Sequence, residues 1–106
     1  MQNNIVKPLE NLISICNQYK NGEIDTVAFQ GTIANIFLPH ETSAELSREQ
    51  DNLHEHLEII IFTEYGEDHI KCAEPYVDDL ITATKAEITR LANYTPYATA
   101  SQLQAT

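Results

Sequence analysis

The sequence predicts an all-α fold, a compact bundle of about four antiparallel helices. Apolar residues recur along most of the chain at steps of three and four, the spacing of one helix face. Glycine is scarce, at positions 22, 31 and 66, and proline falls at 8, 39, 75 and 96, spaced like punctuation between helical stretches. A chain of 106 residues has room for one core. Residues 1–93 are therefore expected to form a single helical domain.

The first helix is expected over 8–20. Proline at an early helical position costs little, because its missing N–H would be unpaired there anyway. Leu9, Leu12, Ile13, Cys16 and Tyr19 then share one face, and Asn21-Gly22 supplies a left-handed stop. The second helix begins after Asp25 as N-cap. Phe29, Ile33, Ile36 and Phe37 continue its apolar stripe, and Pro39 is expected to end it. Gly31 costs this helix about 1 kcal/mol relative to alanine.

The third helix is the longest. Thr42 or Ser43 caps it, Leu46, Leu53, Leu57, Ile60 and Ile61 form its buried side, and it should run to about Tyr65, with Gly66 ending it. The apolar run 59–62 would also suit a strand, but the helical pattern before it favours helix. A linker over 67–74, with room for a short helical turn, should lead to a fourth helix over 75–92, with Val77, Leu80, Ile81, Thr84, Ile88 and Leu91 facing inward. Residues 94–106 carry no charge and are rich in Ala, Thr, Gln and Ser, so a disordered tail is expected there.

Six basic residues against sixteen acidic ones give a net charge of −10. Such a surface repels phosphate backbones, which argues against direct nucleic-acid binding. The apolar run 59–62 is far too short to span a membrane, and the N-terminus lacks a basic segment followed by an apolar one, so a cytoplasmic location without membrane contact is expected. Cys16 and Cys72 both sit in apolar-periodic stretches and read as core thiols, although a disulfide between them stays open.

No catalytic, cofactor or metal centre is expected. His54 and His56 lie two residues apart and so diverge by about 200° around a helix. His54 and Glu58 share a face, but two ligands are too few for a zinc site, and an ordinary surface contact is the simpler expectation. No local signature pairs either cysteine with a histidine. The adjacent acids Asp78 and Asp79 suit a solvated helix face better than acid–base chemistry. Three scattered glycines make no phosphate loop.

The placement of charge says more. Between positions 41 and 79 lie twelve acids and only two bases, Arg48 and Lys71, a net of −10 that accounts for the charge of the whole chain. Asp51, Glu55 and Glu58 fall at i, i+4 and i+7 on one stripe of the third helix, which costs that helix a few tenths of a kcal/mol for each like-charge pair. Ile59 and Phe62 appear among them although the buried side is already filled. An apolar anchor ringed by charge is how protein interfaces are built, and acidic patches speed the capture of basic partners. Asp51, Glu55, Glu58, Glu64, Asp68, Asp78 and Asp79, with Ile59, Phe62 and Tyr65 at the centre, are therefore the expected partner-binding residues.

The run Tyr19-Lys20-Asn21-Gly22-Glu23-Ile24-Asp25, followed by Phe29, resembles the opening of colicin D immunity-like proteins, a group that includes immunity proteins of bacterial contact-dependent growth inhibition. The resemblance extends roughly over 9–91, and its motif carries over no binding residue. It implies a small helical protein of the cytosol that binds and blocks a cognate toxin, often a basic nuclease acting on tRNA. The expected partner is thus a basic protein toxin with a nuclease domain, the protein itself being a monomer or a homodimer. The rival readings are an acidic regulatory or adaptor module for a non-toxin basic protein, and a small metal-dependent enzyme built on His54 and Glu58.

Overall fold

The computed structural model describes residues 6–93. It is all-helical: α1 (Lys7–Lys20), α2 (Thr26–Asn35), α3 (Ala44–Thr63), a 3-10 turn (Gly66–Asp68) and α4 (His69–Ala92). Each helix packs against the next, and α4 closes the ring against α1. Short connections between successive helices make neighbours antiparallel. The expected tail, 94–106, lies outside the described residues.

The helix ends follow from local chemistry. At the end of α1 the N–H of Glu23 reaches the Gln18 carbonyl at 2.9 Å and that of Gly22 reaches Tyr19 at 3.0 Å. This paired closure needs a left-handed residue, which Gly22 supplies with φ +78°. Asp25 then caps α2, its carboxylate accepting from the Ala28 N–H at 2.8 Å. Ser43 caps α3 through the Leu46 N–H at 3.4 Å, the weaker cap by length.

Three boundaries depart from expectation. First, α2 stops at Asn35, four residues before Pro39, and Ile36 is extended. The side-chain amide of Gln50 on α3 takes over the end, donating to the carbonyls of Ile33 at 2.7 Å and Ile36 at 3.2 Å. Phe37 therefore leaves the helical stripe and stands 90% exposed. Second, α3 ends at Thr63 rather than near Tyr65, with Glu64 already extended.

Third, there is no linker over 67–74: α4 starts at His69 and runs through Pro75. A proline inside a helix costs about 3 kcal/mol through a lost hydrogen bond and a clash with the carbonyl four residues back. Pro75 is exposed, so that carbonyl lies where water can reach it. Burial on the opposite face outweighs the penalty. Ala73 and Val77 flank Pro75 and are wholly buried, and a buried valine alone is worth about 1.5–3 kcal/mol. Continuing the helix across Pro75 keeps both in the core.

That core gathers Leu9, Leu12, Cys16 and Tyr19 from α1, Phe29 and Ile33 from α2, Leu46, Leu53, Leu57 and Ile60 from α3, and Ala73, Val77, Leu80, Ile81 and Leu91 from α4. Ile13 and Ile88 pack half-buried against it, and Ile61 is half-buried rather than inside. The Tyr19 and Phe29 rings stack at 4.2 Å, and the Tyr19 hydroxyl meets Thr26 Oγ1 at 2.9 Å. Both cysteines are free thiols. Burial pushes the Cys16 thiol up to about 12, whereas Cys72 is only half-buried.

Candidate protein-interaction surface

The solvent face of α3 is built by the same periodicity that buries its other side. With Leu53 and Leu57 pointing inward, Asp51, Glu55 and Phe62 fall within about 40° of one another on the opposite pole. Glu58 lies on the α2 side of this line and Ile59 on the α4 side. Ile59, Phe62 and, just beyond the helix, Tyr65 are 57%, 77% and 78% exposed. Asp51, Glu55, Glu58 and Glu64 are exposed beside them. Arg48, one turn before Asp51, is the single base on this face of α3.

Two ion pairs form among the described residues, Lys20 with Asp78 and Arg90 with Glu87. Neither engages a carboxylate of the α3 stripe. Glu58 is held by a neutral neighbour, accepting from Gln30 Nε2 at 2.7 Å. That contact replaces the expected pairing of His54 with Glu58. The two histidines diverge as their spacing requires. His54 lines the α2–α3 groove with Asp51 and Gln50, while His56 stacks on Tyr76 of α4 at 3.9 Å and meets the Asn52 carbonyl through Nδ1.

The ten expected partner-binding residues do not share one face. Asp51, Glu55, Glu58, Ile59 and Phe62 form the α3 stripe, and Glu64, Tyr65 and Asp68 extend it around the α3–α4 connection. Here the Asp68 N–H donates to the Tyr65 carbonyl at 2.8 Å. His69 Nε2 lies 3.1 Å from the Glu64 carbonyl, so that nitrogen carries the proton. Asp78 and Asp79 diverge by about 100° on α4. Asp78 is drawn to α1, where its bond raises the pKa of Lys20; Asp79 stays exposed. The turn carboxylates act on their surroundings: the Cys72 thiol is pushed up by desolvation first, then by Glu64 and Asp68.

Two features lay outside the sequence reading. One is a cleft of about 370 Å³ where the α1–α2 and α3–α4 turns meet, lined by Tyr19, Ile24, Val27 and Ile70 with Gly22 and Gly66 at its mouth. Its halves lie about forty positions or more apart, and no local pattern joins them. The other is Glu87, 5% exposed near the C-terminal end of α4. It accepts from the Ser43 N–H at 2.9 Å and from Arg90 at 2.5 Å, and Arg90 also donates to the Glu41 carbonyl at 2.8 Å. The Arg90 guanidinium and then the Ser43 N–H hold this carboxyl below the usual glutamate range, against the effect of burial. Its position was legible, since Leu80, Thr84, Glu87 and Leu91 continue one inward stripe.

Among the described residues no group of three or more His, Cys, Asp or Glu side chains could hold a metal ion. No described helix is long and apolar enough to cross a membrane. The chain matches no protein-family model, no curated protein and no solved structure.

Proposed function

We propose that this protein is an immunity-type inhibitor, binding a basic toxin, a nuclease domain of the tRNase kind, one to one through the outer face of α3 and the α3–α4 turn. The observation that carries the reading is the exposure of Ile59, Phe62 and Tyr65 among Asp51, Glu55, Glu58 and Glu64, with no ion pair among the described residues drawing on those carboxylates. Burying these side chains against a partner supplies an apolar centre, and the carboxylates meet the lysines and arginines that would otherwise hold nucleic-acid phosphates. Inhibition then needs occlusion and no turnover. The toxin class itself enters through the likeness of 19–25 and Phe29 to colicin D immunity-like proteins.

The test uses the product of the gene immediately upstream. Co-expression should protect cells from its C-terminal domain, and reversing Glu55 and Glu58 to lysine should slow association and flatten its salt dependence. Unchanged binding by the reversed variant at low salt would exclude the acidic-face model. An upstream protein that is not toxic, yet binds through the same face, would favour an adaptor instead.

A further inference from the structure

The cleft between the two turns has a composition that selects its occupant. Its apolar lining is Ile24, Val27 and Ile70 over the buried Tyr19, and Asp25 and His69 also line it. Beside these lining residues in the chain, Glu23 follows Gly22, and Glu64, Glu67 and Asp68 flank Gly66; Glu23, Glu64 and Glu67 are exposed and Asp68 is half-buried. With Asp25 this end of the bundle presents five carboxylates. The N-termini of α2 and α4 open here too, each contributing about half a positive charge. Against these five negative charges stand Lys71, exposed beside Ile70, and roughly one positive charge from the two helix ends, which leaves the surroundings of the cleft net acidic.

A purely aliphatic guest would leave that charge unanswered, and a bare ammonium would leave the apolar walls wet. We propose that the cleft receives one arginine side chain of the basic protein partner, its methylene stem against Val27 and Ile70 and its guanidinium at the turn carboxylates. The inference rests on the reading of a basic protein partner and adds where a single anchor of that partner enters. Arginine fits because it combines an apolar stem with a weakly hydrated planar head that carboxylates hold through paired hydrogen bonds.

The two glycines make the idea testable. A side chain at Gly22 would be strained by its φ of +78°, but a Cβ at Gly66 would meet no atom within 4 Å. Gly66→Leu should therefore obstruct the mouth without disturbing the fold, which the amide spectrum of the whole chain verifies. The probe is an acetylated, amidated arginine trimer, with the neutral citrulline trimer as control, followed by amide chemical shifts. Expected are saturating shifts at Gly22, Val27, Gly66 and Ile70 with the arginine peptide only. Binding should weaken at least about tenfold in Gly66→Leu through lost access. It should weaken about threefold in the Glu67→Gln/Asp68→Asn pair, whose charges lie near the surface. Equal shifts with citrulline, insensitivity to Gly66→Leu, or shifts confined to the α3 stripe would overturn the inference. If the cleft fails this test while reversal of Glu55 and Glu58 still slows toxin capture, only the anchor is wrong.

Discussion

The two ends of the bundle use carboxylates in opposite ways. At the end where α2 meets α3, Glu87 is buried, bonded to Ser43 and Arg90, and ties the connection back onto α4. At the end where α3 meets α4, Glu64 and Glu67 are exposed and Asp68 is half-exposed, with Tyr65 beside them. The residue type is the same and its neighbours decide the role. A carboxylate shielded from water must be satisfied within the protein and then stabilises it. One left in water contributes little to folding and is free to meet a partner.

The largest expected effect separates the ends by stability. Glu87→Gln should cost about 2 kcal/mol, because it weakens a charge-assisted bond and disturbs a partly buried pair. For a domain of this size that lowers Tm by about 10 °C in a calorimetric melt. Glu67→Gln with Asp68→Asn should leave Tm within about 2 °C. Equal losses at the two ends would break the comparison.

Acidification sharpens the same contrast. The folded-state pKa of Glu87 is lowered, so its contribution is fully present above the ordinary glutamate value of 4.5 and is lost as pH falls through the depressed value. Urea titrations from pH 6 to pH 3 should show stability falling, and Glu87→Gln should remove part of that slope. An unchanged slope in the variant would mean that other carboxyls carry it.

The caps grade the ends more finely. Asp25→Ala should cost about 1 kcal/mol and Ser43→Ala about 0.5 kcal/mol, since the first loses the shorter, charged cap. Chemical denaturation resolves the two, and the reverse order would show that the Ser43 side chain contributes more than its long bond to Leu46 implies. Smallest of all, Phe62→Ser and Tyr65→Ser should each change stability by less than about 0.5 kcal/mol, both being more than three-quarters exposed. A loss above 1 kcal/mol would show that they support the fold rather than await a partner.

Where local chemistry governs, the sequence was a sufficient guide. The Asn21-Gly22 stop, the Asp25 and Ser43 caps and the inward stripes of α1, α3 and α4 need only a few consecutive residues, so spacing and residue type reveal them. The acidic stripe of α3 was legible for the same reason, as was the exposure of Ile59 and Phe62, which is what remains when the buried face is already full. The helix through 59–62 was chosen over a strand by its neighbours, and the structure keeps it.

Elsewhere the tertiary structure overruled local signals. Pro75 reads as a helix start, yet the burial of Ala73 and Val77 against the other helices extends α4 back to His69. Pro39 reads as the end of α2, but Gln50 satisfies the terminal carbonyls four residues sooner. Asp78 and Asp79 look alike in sequence, and only the approach of α1 gives Asp78 a lysine. The cleft between the turns and the bond from Glu87 to Ser43 exist because packing brings together residues about forty positions apart. Helical period and caps act over one or two turns and are written in the sequence itself. Which carboxylate is paired, and with what, or left to meet a partner depends on what the rest of the chain places beside it.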